Sequence, residues 1–393
     1  MNIGFEAKRI FHNKTGLGNY SRDLVRILSH YFPENNYLLY NPIPTSENLF
    51  ESNVSNVIEK KPISKFYSKF YNLWRQKGVV KDLVSDEIKL FHGLSGEIPS
   101  GLNKTKIKSV VTVHDLIFMS LPQYYSFLDR AIYFYKFRKS TTKSDLVIAI
   151  SEQTKSDLIK YFNVPSRKIK VVYQGCNPAF KKEYSSERKK NIIEKYKLPT
   201  NFILNVGTVE SRKNILSAVQ AIQNIDTYLV IIGTPTAYKK KIESYIEQNN
   251  LEHKILFLND VEVEELAILY QLATLFIYPS LYEGFGIPII ESLFSKTPVI
   301  TTKGGVFQES GGPNTLYIDS NNIDEITNSI NLLLTNFELR KEMADKGYDF
   351  VQKFIVVWSC RNIICSNGFC YFWQNILRRH FFSHVNIYPF IKL

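Results

Sequence analysis

The sequence predicts an α/β protein built as two doubly wound, parallel-sheet halves that face a cleft. Three observations carry this. Short, almost continuously apolar runs alternate with amphipathic windows along all but the last stretch of the chain, the pattern of strands covered on both faces by crossover helices. The series is interrupted once, by the charged stretch 181–200 (KKEYSSERKKNIIEKYKLPT), which is poor in strand signal. The length, 393 residues, suits two domains of roughly 150–200 residues each.

In the first half the strand-like runs fall at 2–7 (NIGFEA), 36–41 (NYLLYN), 89–94 (KLFHGL), 108–114 (KSVVTVH), 146–151 (LVIAIS) and 169–174 (IKVVYQ). In the second they fall at 202–206 (FILNV), 228–233 (YLVIIG), 255–259 (ILFLN), 275–279 (LFIYP) and 298–302 (PVITT). The window 214–225 sets Ile215, Ala218, Val219, Ile222 and Ile225 on one helical face. This divides the chain into a first domain at 1–180, a linker at 181–200, a second domain at 201–350 and an atypical tail at 351–393. Ligands of open α/β sheets sit beyond the carboxyl ends of the strands. Chemistry is therefore expected in the loops that follow these runs.

Composition narrows the functional classes. An apolar content of 44% permits a sizeable core. The N-terminus reads as a strand followed by Lys8 and Arg9 rather than as a signal peptide. No uncharged apolar run reaches the roughly 18 residues of a membrane span. The four cysteines form neither a disulfide framework nor a zinc pattern, and a reducing, cytoplasmic setting is expected. Residues 1–180 hold 26 Lys and Arg against 15 Asp and Glu, residues 181–350 hold 18 against 22, and residues 351–393 hold 5 against none. A basic first half suits an anionic membrane surface or an anionic lipid-linked partner; a plain solvated basic face is the alternative. No nucleic-acid recognition motif accompanies the charge, so no nucleic-acid partner is expected.

Five segments stand at predicted strand ends. In Tyr282–Glu291 (YEGFGIPIIE) a glycine loop leads into a helix with Pro288 in its first turn. Gly284 and Gly286 leave room for a ligand, the helix amides suit phosphate, and Glu283 and Glu291, placed in the loop and the first turn, can face one cleft. Carboxylates there can accept bonds from vicinal hydroxyls, although an acid-rich helix start is the plainer explanation. VGTVESRKN (206–214) brings Arg212 and Lys213 to a helix start, where they could neutralise a diphosphate or simply be solvated. KTGLGNYSRDL (14–24) places Gly16 and Gly18 ahead of a helix beginning near Asn19; Ser21 holds the place of the third glycine of a dinucleotide fingerprint. TVHDL (112–116) puts His114 at a strand end, with Asp115 as a candidate to orient it, and His92 in LFHGL occupies a similar end. KGGVFQE (303–309) offers Gly304 and Gly305 to a ligand, with Glu309 fixing the loop.

Taken in order from the N-terminus to about residue 350, these motifs, above all Glu-x7-Glu enclosing E-G-F-G, resemble those of retaining GT-B glycosyltransferases of family 4. The resemblance implies a GT-B fold and hexose transfer from a nucleoside diphosphate sugar, with GDP-mannose favoured over a UDP-sugar. It implies catalytic roles beside the sugar for His114 and Glu283. Donor binding would fall to Gly16, Gly18, Arg212, Lys213, Gly284, Phe285, Gly286 and Glu291, the last on the ribose. Its implied acceptor is a glycan or lipid-linked glycan at the inner face of the cell membrane. Thr208 departs from the pattern, since many members carry Arg directly after this glycine.

No Asp-x-Asp occurs anywhere in the chain, so neither metal nor cofactor is expected, the nucleotide-sugar being a substrate. A nicotinamide-dependent oxidoreductase is disfavoured by the missing third glycine and by the lack of a suitable acid ending the second strand. The tail departs from the family: after Asp349 no acid occurs for 44 positions, and three of the four cysteines lie there. A reading-frame disruption near Ile355 is the favoured explanation and a basic, aromatic membrane-surface segment the competing one. A catalytically impaired nucleotide-sugar-binding protein is the corresponding functional alternative.

Overall fold

The structure, a computed structural model, describes residues 1–44, 49–51 and 54–354; the tail after residue 354 lies outside the described residues. The first sheet contains β1 (Asn2–Glu6), β2 (Asn36–Tyr40), β3 (Val57–Lys60), β4 (Leu90–Gly93), β5 (Lys108–Val113), β6 (Leu146–Ala149) and β7 (Ile169–Val171), in the order β3-β2-β1-β4-β5-β6-β7. The second contains β8 (Phe202–Val206), β9 (Tyr228–Ile232), β10 (Ile255–Leu258), β11 (Leu275–Tyr278), β12 (Val299–Thr302) and β13 (Leu316–Ile318), in the order β10-β9-β8-β11-β12-β13. The pairings are parallel, Phe5 standing opposite His92 across β1 and β4, and Leu275 opposite Ile203 across β11 and β8. Strand order reverses between β1 and β4 and again between β8 and β11. Each sheet therefore opens a crevice at the carboxyl ends of those strands.

Alternation along the strands builds two layers around the second sheet. Leu204, Val230 and Phe276 pack into one cluster. Their neighbours Ile203, Leu229, Ile231 and Ile277 pack into the other. Cys176, Phe180 and Tyr184 join the first of these clusters, and so do Val351 and Phe354 at the end of the described chain. The helix Ser186–Tyr196 lies against the second half, where Arg188 meets Glu264 at 2.8 Å. Among the described residues, no helix is long and apolar enough to cross a membrane.

Each apolar run expected to be a strand forms one. β3 and β13 escape sequence reading for a physical reason: both are edge strands, and β3 exposes Ile58 and Glu59 in succession while β13 has only three residues. The stripe at 214–225 forms a shorter helix, Ile215–Ala221, yet Ile222 and Ile225 are buried with it. The helix expected near Asn19 begins earlier, as Gly16–Tyr31. Asn13 Oδ1 accepts the backbone amides of Thr15 at 3.0 Å and Gly18 at 2.9 Å, and the Thr15 carbonyl accepts those of Gly18 and Asn19. Those acceptors satisfy amides that a helix start otherwise leaves unpaired. Gly16 and Gly18 are thus the first turn of the helix, not a loop before it.

The two glycines differ sharply. A Cβ on Gly18 would sit 1.9 Å from the Asn13 carbonyl oxygen, whereas one on Gly16 would meet nothing within 4 Å. Gly18→Ala is expected to destabilise the fold by about 1–3 kcal/mol through forced backbone displacement. Gly16→Ala is expected to be neutral or stabilising by up to about 1 kcal/mol. Urea unfolding midpoints of the two variants check the contrast; equal midpoints would contradict it.

Candidate active site

The crevice of the second sheet is lined by the loops after β8 and β11. After β8 a single turn, Ser211–Lys213, ends at Asn214 in the left-handed region with φ 52°. It delivers Lys213 Nζ to Glu283 Oε1 at 2.6 Å and to the Tyr278 hydroxyl at 2.7 Å. Arg212 Nη1 stands 3.0 Å from the same Oε1 and donates to the Tyr282 carbonyl, while Nη2 pairs with Glu210 at 2.6 Å. Ser280 Oγ donates to Oε1 at 2.5 Å. The contacts that Lys213, Arg212 and Ser280 make with Glu283 all fall on Oε1.

The helix Ile287–Phe294 begins after Gly286, which has φ 96°, and carries Pro288 in its first turn. Glu291 therefore lies in the second turn and not the first. Its Oε2 accepts from the Tyr270 hydroxyl at 3.3 Å. Phe285 does not offer its side chain to a ligand. It stacks on Tyr173 at 5.3 Å and meets Phe354 edge-on at 5.4 Å within the core, because its neighbours on both sides are apolar.

On the first-half side, His114 is held at both ring nitrogens. Nε2 lies 2.9 Å from the Leu94 carbonyl and Nδ1 lies 3.0 Å from Gln174 Nε2. A carbonyl only accepts and an amide nitrogen only donates, so Nε2 carries the proton and Nδ1 accepts. Asp115 does not orient this ring; its Oδ1 accepts the Ile117 amide at 3.2 Å. Gln174, missed by sequence reading, does so from the loop three residues beyond β7; its place as the polar end of the run 169–174 was its one signal. Tyr20, two residues beyond Gly18, sets its ring edge-on to His114 at 4.7 Å. His92 does not reach the cleft. It is buried, with Nε2 2.8 Å from Thr112 Oγ1, and a strand-interior pairing explains it better than substrate contact.

The two halves meet at this place. A Cβ on Gly284 would lie 2.2 Å from the His114 carbonyl oxygen, so the absent side chain is what permits the approach. Ser151 Oγ donates to the Gly284 carbonyl at 2.8 Å. Glu309 reaches past its own loop: its carboxylate accepts the amides of Glu152 at 2.8 Å and Gln153 at 2.9 Å, capping the first-half helix Glu152–Phe162. Tyr282 donates to Asp157 across the same seam.

Residues 186–350 match the family model of glycosyl transferases group 1, and residues 35–180 that of glycosyltransferase family 4. A Methanocaldococcus jannaschii protein described as an uncharacterized glycosyltransferase is 31% identical over 285 residues, 72% of this chain and 73% of that one. The chain belongs to glycosyltransferase family 4. The Escherichia coli O-antigen chain mannosyltransferase B is 27% identical over 379 residues, 90% of this chain and 96% of that protein. The Anabaena protein HepE, solved in complex with UDP and glucose, superposes with a TM-score of 0.71 at 16% identity, covering 95% of this chain and 99% of that one. The architecture of this glycosyltransferase is accordingly GT-B, two parallel sheets with flanking helices and a cleft between them.

Burial pushes both glutamates of the transferase upward, but only one of them meets cations that reverse it. It would raise Glu283, but Lys213 and then Arg212 outweigh it and hold that carboxyl at about 2. Among the described residues no cation offsets Glu291, and burial pushes it up to about 7, opposed only in part by the Tyr270 hydroxyl. Burial also pulls His114 down to about 4, against the Leu94 bond, so the ring is neutral at neutral pH.

Two outcomes are expected. Against an unfolded carboxyl at 4.5, Glu283 stabilises the fold above that pH and loses its contribution as pH falls toward 2. Glu291 does the reverse: its contribution is full below 4.5 and is lost as pH rises through 7. Glu291→Gln should therefore raise the melting temperature relative to wild type near pH 8 but not near pH 4, with Glu283→Gln flattening the acid limb; parallel pH profiles for all three proteins would refute the assignment. Gly284→Ala should hold the halves apart, lowering kcat/KM while the second half still binds nucleotide. Small-angle scattering and nucleotide titration together check this.

Proposed function

We propose that this glycosyltransferase is a retaining, metal-independent hexosyltransferase that moves mannose from GDP-mannose to a hydroxyl of a glycan or lipid-linked glycan at the inner face of the membrane. The observation that carries this reading is the Glu283 carboxylate, gripped through one oxygen by Lys213 and Arg212 at the switch point of the second sheet. A diphosphate entering this crevice meets both cations and the amides at the start of the helix Ile287–Phe294. These groups would stabilise the charge that develops on the leaving group. Glu283 and His114 would position the sugar. Neutral and engaged at both ring nitrogens, His114 would bond a hydroxyl only by exchanging the Gln174 contact at Nδ1, and it is not suited to take a proton. Glu291 would accept the ribose hydroxyls, and the helix start at Gly16 and Gly18 would close on the phosphates from the first half. Leaving group and acceptor then work on the same face of the sugar, which retains the anomeric configuration.

The choice of mannose is supported by the Escherichia coli relative, and that of a nucleoside diphosphate by the ligands of HepE. Labelled GDP-mannose, UDP-glucose and UDP-galactose, incubated with a panel of lipid-linked oligosaccharides, test the donor. GDP-mannose is expected to support transfer with an α-configured product by NMR; a β-configured product would remove retention. Lys213→Ala is expected to lower kcat/KM by about 10²–10³-fold. Unchanged nucleotide affinity in both Lys213→Ala and Glu291→Ala would remove the donor site, and nucleotide binding without turnover on any acceptor would favour an impaired enzyme.

A further inference from the structure

The segment 60–81 (KKPISKFYSKFYNLWRQKGVVK) contains seven Lys and Arg and no Asp or Glu. Its helical turns Lys65–Lys69 and Tyr71–Leu73 bury no residue. Ile63, Phe66, Phe70 and Leu73, three or four residues apart, are 97%, 54%, 50% and 41% exposed. The Phe66 and Phe70 rings lie 4.9 Å apart, so the stripe is already assembled. It is also anchored from behind: Trp74 is buried, and its indole donates to Asp82 at 2.6 Å. Lys60 and Lys61 pair with Asp86 and Glu59. Lys65, Lys69, Lys77 and Lys81 are exposed and enter no ion pair among the described residues.

A second apolar stripe adjoins the first. The helix Phe127–Lys143 exposes Phe127 by 79% and Leu128 by 72%, with Ile132 and Tyr135 continuing the same arc and exposed Arg138 and Lys143 beyond them. The loop at 96–100 ties the two elements together. The Ser100 amide donates to the Gln76 carbonyl at 2.7 Å, and its hydroxyl accepts from Lys139 at 2.8 Å. Glu97 pairs with Arg75 at 3.2 Å and with Lys136 at 3.3 Å.

Single exposed apolar side chains need no explanation, but aromatic stripes at helical spacing do. Protein interfaces are depleted in lysine. Aromatic and aliphatic side chains interleaved with unpaired lysines instead match the interfacial zone of a bilayer, with the cations facing acidic headgroups. We propose that this face, residues 61–77 with the start of the helix Phe127–Lys143, docks the protein on an anionic lipid bilayer. Lys8, directly after β1, stands 5.7 Å over the Tyr71 ring, which sets the platform beside the first-half rim of the cleft. An acceptor carried on a lipid would arrive at that rim. The docking itself does not rest on the sugar-transfer reading, and its test reads binding, not catalysis.

Full-length protein is sedimented with vesicles of pure phosphatidylcholine and with vesicles of phosphatidylcholine and phosphatidylglycerol in equal parts. Cosedimentation with the anionic vesicles alone, lost at high salt, is expected. Lys65→Glu with Lys69→Glu, and separately Phe66→Ser with Phe70→Ser, should each lower the partition coefficient by about 10-fold or more. Circular dichroism, melting temperature and nucleotide affinity should stay as in wild type, since these side chains are outside the core and the crevice. Wild-type partitioning in both double variants would overturn the proposal. So would a dimer in analytical ultracentrifugation that the same substitutions dissociate, because the face would then belong to a second copy of the chain.

Discussion

A carboxylate taken out of water is tolerable only where cations meet it, and Glu283 imposes that condition on both loops around it. Lys213 and Arg212 can reach Oε1 only because the turn after β8 ends in a left-handed Asn214, with φ 52°. Tyr278, at the end of β11, completes the shell by holding the Lys213 ammonium from the other side. The β8–β11 switch point thus carries a pre-formed, dry charge cluster rather than an open basic patch. On the proposed function, an incoming diphosphate would not have to order two mobile cations; it would share them with a carboxylate already in place. Such pre-organisation is what lets fixed charges stabilise a transition state better than water does.

The same economy of movement marks the seam between the halves. Contacts there run mainly through backbone: the Gly284 carbonyl, the His114 carbonyl and the amides of Glu152 and Gln153. Backbone groups cannot swing aside as long side chains do. The geometry of closure is thereby set by the strand ends themselves, and His114 enters the cleft already oriented by Gln174 and Leu94.

The fold was legible because buried parallel strands announce themselves as apolar runs, and the two strands that escaped were edges with little to bury. The candidate site was legible as a set of strand-end loops, with Lys213 and Glu283 in the loops that proved to meet. What sequence could not show was direction. Phe285 lies inside the most specific motif, yet it turns into the core toward Tyr173 and Phe354. His92 and His114 end neighbouring strands, but one is sealed beside Thr112 and the other faces the seam. Asp115 was adjacent to His114 in sequence while Gln174, sixty positions away, was its partner in space. Spacing reports which residues share a loop; only packing decides which way each one points.

The Glu309 carboxylate gives the seam a temporal property as well as a spatial one. It occupies two amides at the start of the helix Glu152–Phe162, a place where unpaired donors and the helix dipole attract negative charge. Parting the halves therefore takes a carboxylate of one half off two helix-start amides of the other, an electrostatic cost rather than a frictionless hinge. On the proposed function, release of a product from the cleft would be coupled to the breaking of this contact, which lies apart from the residues proposed to hold sugar and phosphate.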